Sequence, residues 1–462
     1  MRATSRPAAA GRLRSHLISA LLLPDRATLS NLICLGGRAD SDWTAEYRLY
    51  SRDRVDAGAL LDKALEEVNA AVPPERPLVF GVDDTIVRKS GTRIPGVAWR
   101  RDPLGPAFQT NLVRGQRFLM FSAAWPLGDG DARMVPVRFD HAPTSARRPP
   151  SGATPEEVQA WREERRRASL GTLTVEGIEA LAARCPGRKL VIGGDGGFTN
   201  GTVVKRRPPG CVYIGRVRKD AKLHFAPMPQ ASGGNGRPRV YGERAPTPGE
   251  LLADDTGPWR EVEGFASGRR HVFRIKEAGG LLWRPAGSGA RLRLLVIAPL
   301  RYRLRKGSKL LYRSPAFLIC TDPDLKVEEI LQYFLWRWGV ETNFRDLKQH
   351  VGVGDAQVRT EASNRNLPAA LAGGYSLLWV AALKLLAKGI DPAGGLVAPK
   401  WRRHIENGRR TPSKGQLLRE LRTECWRQCL RPEGFRGVPA HQDVDAKPQK
   451  VAYPLSGIFQ IA

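Results

Sequence analysis

The sequence predicts an α/β protein in which a mixed β-sheet core is flanked by helical regions at both ends of the chain. Two short apolar runs, residues 78–82 and 190–194, are each followed by aspartate, as expected of strands buried on both faces. A longer stretch, from about 325 to 350, has apolar residues at helical spacing. Strands interspersed with helices in this way indicate one sheet covered by helices.

The chain is long and strongly basic. It has 462 residues, and 74 Lys and Arg against 46 Asp and Glu give a formal net charge of +28. At roughly 150 residues per unit, this length corresponds to about three structural units. The charge favours a polyanionic partner, which is nucleic acid or an anionic membrane surface. The apolar segment 369–387 contains Lys384 and a Gly-Gly pair, so we expect a buried core helix there and no membrane partner.

The remaining elements follow from local patterns. Residues 1–72 have helix-compatible spacing and end at a proline-rich boundary, after which the first apolar strand leads into Asp83 and Asp84. Further strands are expected over 118–125, 134–139, 190–194, 211–217, 292–304 and 316–320, and helices over 154–167, 174–184 and 416–430. Residues 220–315 are rich in Gly, Pro and Arg and are interpreted as a β-rich insertion. This order is the one expected of an RNase-H-like core, by analogy of fold.

Carboxylates stand at three places in this framework. Asp83 and Asp84 follow one buried strand, Asp195 follows another, and Glu341 lies inside the long helix. Metal-assisted cleavage of a phosphodiester needs hard oxygen ligands that hold two Mg²⁺ ions about 3.5–4 Å apart. Cys and His would instead favour softer metals. These four acids are therefore the candidate ligands for two Mg²⁺ ions, with Mn²⁺ as an alternative.

The long helix adds polar groups to an otherwise apolar face. At about 100° per residue, Phe334, Arg337, Glu341 and Lys348 lie within roughly 60° of one another. Polar groups on a core-facing stripe cost free energy unless they are paired or coordinate a ligand. Taken singly, an Arg–Glu pair at i,i+4 is also common on exposed helices. In combination with the strand-end acids and the basic charge, the stripe favours a site that acts on nucleic acid.

These residues resemble a known family. The spacing Phe334-x2-Arg337-x3-Glu341-x6-Lys348 resembles the Y-x2-R-x3-E-x6-K signature of DDE transposases of bacterial insertion sequences. The segments around Asp83 and Asp195 also resemble theirs, over roughly residues 78–360. The resemblance implies an RNase-H-like core with a β-strand insertion, and a Mg²⁺-binding catalytic triad of Asp83 (or Asp84), Asp195 and Glu341. Strand alternation directs only one of the first two acids toward the metals, and we prefer Asp83.

The resemblance also implies contacts with DNA, because Arg337 and Lys348 would hold the transposon end. Phe334 departs from the signature tyrosine and lacks its hydroxyl, although Tyr333 is adjacent. The candidate DNA contacts are Arg88, Lys89, Arg301, Arg303, Arg305, Tyr333, Phe334, Arg337 and Lys348. The three arginines at 301–305 alternate as they would on one face of a strand, where charge could equally serve solubility. A second candidate surface is the C-terminal cluster Arg402, Arg403, Arg409, Arg410, Lys414, Arg419, Arg422 and Arg427.

The resulting hypothesis is a DNA transposase. It would bind the terminal inverted repeats of an insertion sequence as a homodimer, cleave the ends by metal-assisted hydrolysis, and join the 3′-hydroxyls to double-stranded target DNA. The alternatives are an RNase-H-like nuclease without strand transfer and a catalytically decayed transposase that only binds DNA. Six scattered cysteines without a CxxC pair favour the reducing bacterial cytoplasm, in association with the nucleoid.

The hypothesis divides the chain into five segments. They are a helical DNA-binding region (1–72), the first part of an RNase-H-like catalytic core (73–219), the β-rich insertion (220–315), the second part of the core with the Glu341 helix (316–388), and a basic C-terminal region (389–462).

Overall fold

The structure is a computed structural model that describes residues 7–40, 42–102, 105–106, 108–128, 130–144, 148–228, 239–303, 307–393 and 412–429. Within these ranges, eleven strands form one mixed sheet, and helices from both ends of the chain pack on it. The predicted α/β fold class with an RNase-H-like core is therefore confirmed.

The elements are numbered here in chain order. The strands are β1 (Leu78–Arg88), β2 (Ala98–Arg101), β3 (Leu112–Gly128), β4 (Asp131–His141), β5 (Leu190–Gly194), β6 (Cys211–Arg216), β7 (Leu223–His224), β8 (Arg260–Ala266), β9 (Arg269–Trp283), β10 (Gly287–Ile297), β11 (Arg301–Tyr302), β12 (Leu311–Tyr312) and β13 (Ala316–Cys320). The helices are α1 (Pro7–Leu22), α2 (Leu29–Leu35), α3 (Trp43–Ser51), α4 (Ala57–Ala71), α5 (Pro155–Arg167), α6 (Leu170–Arg184), α7 (Gly201–Arg206), α8 (Pro248–Ala253), α9 (Val327–Trp336), α10 (Trp338–Asp346), α11 (Glu361–Ala387) and α12 (Lys414–Cys429). A 3₁₀ turn spans Arg284–Ala286, and a π-turn spans Leu347–Val351.

The sheet has its parallel strands in the middle. Its order is β2-β3-β1-β5-β6-β13-β10-β9-β7, with β4 paired to β3 and β8 paired to β9. Strand β1 runs parallel to β5 and antiparallel to β3, and β5 runs parallel to β6. From β6 the pairing continues, all antiparallel, through β13, β10 and β9. The long strands of the segment 220–315 therefore extend the same sheet that carries the acids.

The N-terminal helices pack against the core, as the helical spacing of this region predicts. Helix α4 packs on α11, and both pack on β4. Between α1 and α3 lie the fully buried His16 and Glu46, whose carboxylate is 3.1 Å from His16 Nε2 and accepts a hydrogen bond of 2.6 Å from Nε of the partly exposed Arg38. His16 Nδ1 lies 3.1 Å from the hydroxyl of Tyr50. Nδ1 of His16 thus has a polar partner, whereas Nε2 is close to Glu46 without forming a hydrogen bond.

Helix α11 is the buried helix expected from its composition. Glu361–Ala387 is long and apolar enough to cross a membrane, but 83% of its apolar window is buried inside the protein. The helix lies against α4, β4 and α1. Its apolar character is thus explained by its place in the core.

Two predicted strands end at residues other than those expected. Strand β1 does not end at Asp83, because its antiparallel pairing with β3 continues to Arg88 even though the parallel pairing with β5 stops at Val82. The strand expected over 292–304 ends at Ile297, and only Arg301–Tyr302 resumes as β11, which pairs with β12 in a separate two-stranded sheet.

The single helix expected over 325–350 is interrupted. Helix α9 ends at Trp336, Arg337 forms a turn, α10 follows, and Leu347–Val351 widens to a π-turn. The interruption lies where the chain is closest to the sheet. A Cβ on Gly81 of β1 would lie 2.7 Å from Val340 Cγ2 and 3.3 Å from Arg337 Cα. Glycine at position 81 therefore permits this close approach of the helix to the strand.

We expect Gly81→Ala to destabilise the protein by about 1–3 kcal/mol, because the added methyl group must push α10 away from β1. The measurement is the free energy of unfolding from urea denaturation. The matched control is Gly279→Ala on β9, where a Cβ would meet nothing within 4 Å and which should be neutral or slightly stabilising. Equal stability of the two variants would show that the contact is not tight.

Candidate active site

Two aspartates meet at the edge where the parallel pairing ends. The last parallel pair of β1 and β5 is Val82 with Gly194, so Asp83 and Asp195 are the next residues on the two neighbouring strands. Asp195 is held in a tight turn, in which its Oδ1 accepts hydrogen bonds from the backbone N–H of Gly197 at 2.8 Å and of Phe198 at 3.3 Å. The register therefore places two carboxylates side by side.

Arg337 joins Asp83 to the third acid, Glu341. Its Nη1 donates to Asp83 Oδ2 at 3.1 Å, and its Nη2 donates to Glu341 Oε1 at 3.4 Å. The guanidinium is nearly buried, with 10% of the side chain exposed, whereas Glu341 is 39% exposed. Its aliphatic stem passes over Gly81 and Gly193, where a Cβ would lie 3.3 Å and 3.7 Å from it. Gly81 thus makes room for the arginine, whereas a Cβ on Gly193 would be in ordinary contact with it.

The structure separates Asp83 from Asp84. Alternate side chains of a strand point to opposite faces. Gly81 and Asp83 face Arg337, so Asp84 faces the other way, where Arg117 and Arg100 are the cations that act on its carboxyl. Of the two alternatives, Asp83 is the one beside Glu341.

The environment of Asp83 disfavours its charged form. Burial raises the pKa of this carboxyl to about 7, and the negative charges of Asp195 and Asp84 act in the same direction, while Arg337 opposes them. Burial also raises the pKa of Asp84. A single arginine therefore does not fully offset the cost of placing these carboxyl groups together.

The donor set suits a hard divalent cation, which would supply the missing positive charge to oxygen ligands. Among the described residues, no group of three or more His, Cys, Asp or Glu side chains is close enough to hold a metal ion as they stand. Arg337 lies between Asp83 and Glu341, and its Nε is buried without a hydrogen-bond partner. The guanidinium therefore offsets the negative charges of Asp83 and Glu341. It must move away if these two carboxylates are to share a metal cation.

A polar network behind α10 holds the helix that carries Glu341. Asn343 donates to Ser122 Oγ at 3.2 Å and to the carbonyl of Met134 at 2.9 Å. The hydroxyl of Tyr375 on α11 lies 3.1 Å from Asn343 Oδ1 and 3.0 Å from Asp346 Oδ2. Sequence reasoning missed this network; its only signal was polar residues within an apolar pattern.

The other residues of the helix signature have mixed surroundings. The hydroxyl of Tyr333 donates to Glu329 at 3.3 Å, and the ring of Phe334 lies under the Arg337 guanidinium at 5.5 Å. Lys348 lies in the π-turn and is exposed, so the even helical spacing assumed for it does not hold. Arg88, Asp102 and Asp84 are the charged groups that act on it.

Most of the predicted DNA contacts outside the helix have other partners. Arg88 is exposed and pairs with Asp102 at 3.0 Å. Lys89 donates to the backbone carbonyls of Gly354 and Ala356 at 2.8 and 2.6 Å, so its ammonium is already satisfied.

The alternating arginine strip is not present as expected. Arg301 alone of the three is in a strand, Arg303 lies beyond it and donates to the carbonyl of Ser308, and Arg305 lies outside the described residues. The regular strand ends before position 303, and with it the alternation that would place the three on one face.

The C-terminal cluster is also partly structural. Lys414 is buried and donates to the carbonyl of Asp346, and Arg422 donates to the carbonyls of Leu21 and Leu23. Both cations thus attach α12 to the rest of the fold. Arg402, Arg403, Arg409 and Arg410, and the side chain of Arg427, lie outside the described residues.

The raised pKa of Asp83 gives a testable pH dependence. The unfolded carboxyl ionises near its ordinary value while the folded one stays protonated up to about 7, so between about pH 4 and 7 rising pH favours the unfolded state. Asp83→Asn removes this effect. We expect the stability of Asp83→Asn relative to the natural protein to increase across this window, by at most about 1.4 kcal/mol per pH unit.

The measurement is urea denaturation at several pH values without divalent cations. Asp220→Asn, at an exposed carboxylate paired with Arg218, is the control and should follow the natural protein. A constant difference between Asp83→Asn and the natural protein would contradict the raised pKa.

Comparison with protein families agrees with this geometry. The family model described as DDE superfamily endonuclease matches residues 3–277, a range that includes Asp83 and Asp195 and ends before Glu341. No curated protein matches the sequence significantly. The family match implies an endonuclease that acts on DNA, and such enzymes generally use divalent metal ions. Since the model matches more than half of the chain, the protein belongs to the DDE endonuclease superfamily.

Proposed function

We propose that the protein is a DNA transposase of a bacterial insertion sequence. It binds the terminal inverted repeats as a homodimer in the cytoplasm, cleaves the ends, and joins the 3′-hydroxyls to target DNA. The observation that carries the proposal is that Asp83 follows the parallel pair beside Asp195 and shares Arg337 with Glu341 at one edge of the sheet. The helix spacing from Phe334 to Lys348, which resembles the transposase signature, separates this proposal from that of a general endonuclease.

In this proposal Asp83, Asp195 and Glu341 hold divalent metal ions, for which Mg²⁺ is the first candidate and Mn²⁺ the second. When bound, the metal supplies a Lewis acid and lowers the pKa of bound water. The chain's own residues position the reacting groups. Arg337, released from its carboxylates, is placed to meet the DNA phosphate, and the network around Asn343 keeps α10 at a fixed distance from the sheet.

We expect Glu341→Gln to abolish cleavage of the element's ends and to leave DNA binding intact, because the amide keeps the shape of the side chain and loses its charge. Cleavage is measured on labelled duplex ends with Mg²⁺, and binding by fluorescence anisotropy. The control is Glu328→Gln, the same change at an exposed glutamate on α9 that pairs with Arg260. Retained cleavage by Glu341→Gln would disprove its assigned role.

The nuclease alternative shares the acids and differs in the second reaction. A transposase should join pre-cut ends that carry a free 3′-hydroxyl to plasmid DNA in the presence of Mg²⁺, and a nuclease should not. The measurement is the appearance of joined products on a gel, with ends that lack the 3′-hydroxyl as the control. Cleavage without any joining would favour the nuclease.

A decayed transposase that only binds DNA is the second candidate. Two observations favour it, namely Phe334 in place of the signature tyrosine and the Arg337 bridge that separates Asp83 from Glu341. The cleavage assay on labelled duplex ends decides, since a decayed protein would bind DNA and cut none of it with either Mg²⁺ or Mn²⁺.

A further inference from the structure

A second basic site lies on the same helix as Glu341. A cavity of about 840 Å³ opens between the β3–β4 turn, the β8–β9 turn, α10 with its π-turn, and the start of α12. We call it the rear cavity. Its charged side chains are those of Arg133, Arg270, Arg345 and Lys414, together with Asp131 and Asp346, and His350 is also in its wall. Among the described lining residues the four cations exceed the two carboxylates, which gives this part of the wall an excess of positive charge.

The base of the rear cavity is built from buried groups. Lys414 is only 4% exposed, and it donates to the carbonyl of Asp346 at 3.1 Å and lies 5.7 Å from the ring centre of Tyr375. Arg133 donates to the Tyr375 hydroxyl at 2.9 Å and stacks on Trp379 at 3.6 Å, while its Nε is buried without a partner. Burying cations in this way is costly unless an anion compensates them.

The carboxylate of Asp346 compensates these cations only in part. Asp346 is shared, at 3.7 Å each, between Arg133 and Arg345, and it is also in reach of the Tyr375 hydroxyl. Burial lowers the pKa of Lys414 to about 7 despite the attraction of Asp346. Arg345 and Arg270 are exposed at the rim, where their pairing with neighbouring carboxylates is weak and easily exchanged for another anion.

We propose that the rear cavity binds a backbone phosphate of the DNA, an inference that rests on the proposed function. Arg345 lies one helical turn from Glu341, about 6 Å along the axis of α10. A phosphate held by Arg345, Arg270 and Lys414 would thus be anchored close to the one that the acids cut. The volume is ample for a phosphate with its flanking sugars, and such contacts position a nucleic acid without reading its sequence.

The test is the salt dependence of DNA binding by the full chain. The variant Arg270→Ala/Arg345→Ala changes only exposed rim side chains, which leaves the buried Lys414 and the fold in place. For each phosphate that the protein no longer neutralises, the slope of log K against log salt should fall in magnitude by about 0.9. We expect a decrease of about 1 on duplexes of any sequence. The control Arg162→Ala/Arg167→Ala removes two charges from α5, which contributes no buried residue, and should leave the slope unchanged.

The outcomes separate the two proposals. If the rim variant, Arg270→Ala/Arg345→Ala, binds DNA normally and with an unchanged slope of log K against log salt, the phosphate site in the rear cavity is disproved. The transposase proposal is then unaffected. Inorganic phosphate could also raise the unfolding temperature of the natural protein but not of the rim variant. If the two proteins then show the same slope of log K for DNA against log salt, the cavity holds free phosphate and the inference is wrong. A natural protein that binds no DNA overturns both proposals.

Discussion

The Arg337 guanidinium is the interaction on which the site depends. It is a buried cation that joins a residue of the sheet, Asp83, to a residue of the helix above it, Glu341. Removing one member of a buried ion pair leaves an uncompensated charge and costs about 3–5 kcal/mol. The same contact favours glycine at 81, because a Cβ there would lie 2.7 Å from Val340 Cγ2 and 3.3 Å from the arginine stem. The ion pairs of Arg337 and its packing against β1 are thus set by the same side chain.

The helix that carries Glu341 is also held from behind. Asn343 attaches it to β3 and β4, and the Tyr375 hydroxyl connects it to α11. These groups are fully buried, and buried polar networks with satisfied partners make a structure rigid. The backbone of α10, which carries Glu341, is therefore held in a preorganised frame.

The sequence predicts the outline of this frame and not its fine geometry. The acids could be found because apolar strands that are followed by aspartate show in the local pattern. The parallel register of Val82 with Gly194, which makes Asp83 and Asp195 neighbours, depends on pairing between distant segments. The turn at Arg337 escapes any periodicity argument, since its cause is the approach to Gly81 on another strand.

Basic residues were the least predictable part of the site. Lys89 carries the same charge as a phosphate-binding lysine would, but its ammonium group is bonded to backbone carbonyls. A sequence records the charge of such a residue, and only the fold determines whether that charge faces solvent. Net charge is accordingly a sound guide to the class of partner and a weak guide to individual contacts.

The continuous sheet has a mechanical consequence. Because β13 is hydrogen-bonded to β6 on one side and to β10 on the other, the strands of the segment 220–315 are tied to the core by a ladder of backbone bonds. Such a segment cannot swing as a hinged flap without breaking that ladder. A substrate that touches both this segment and the acids therefore meets a surface of fixed shape, and any bending it needs in order to fit would enter the free energy of binding.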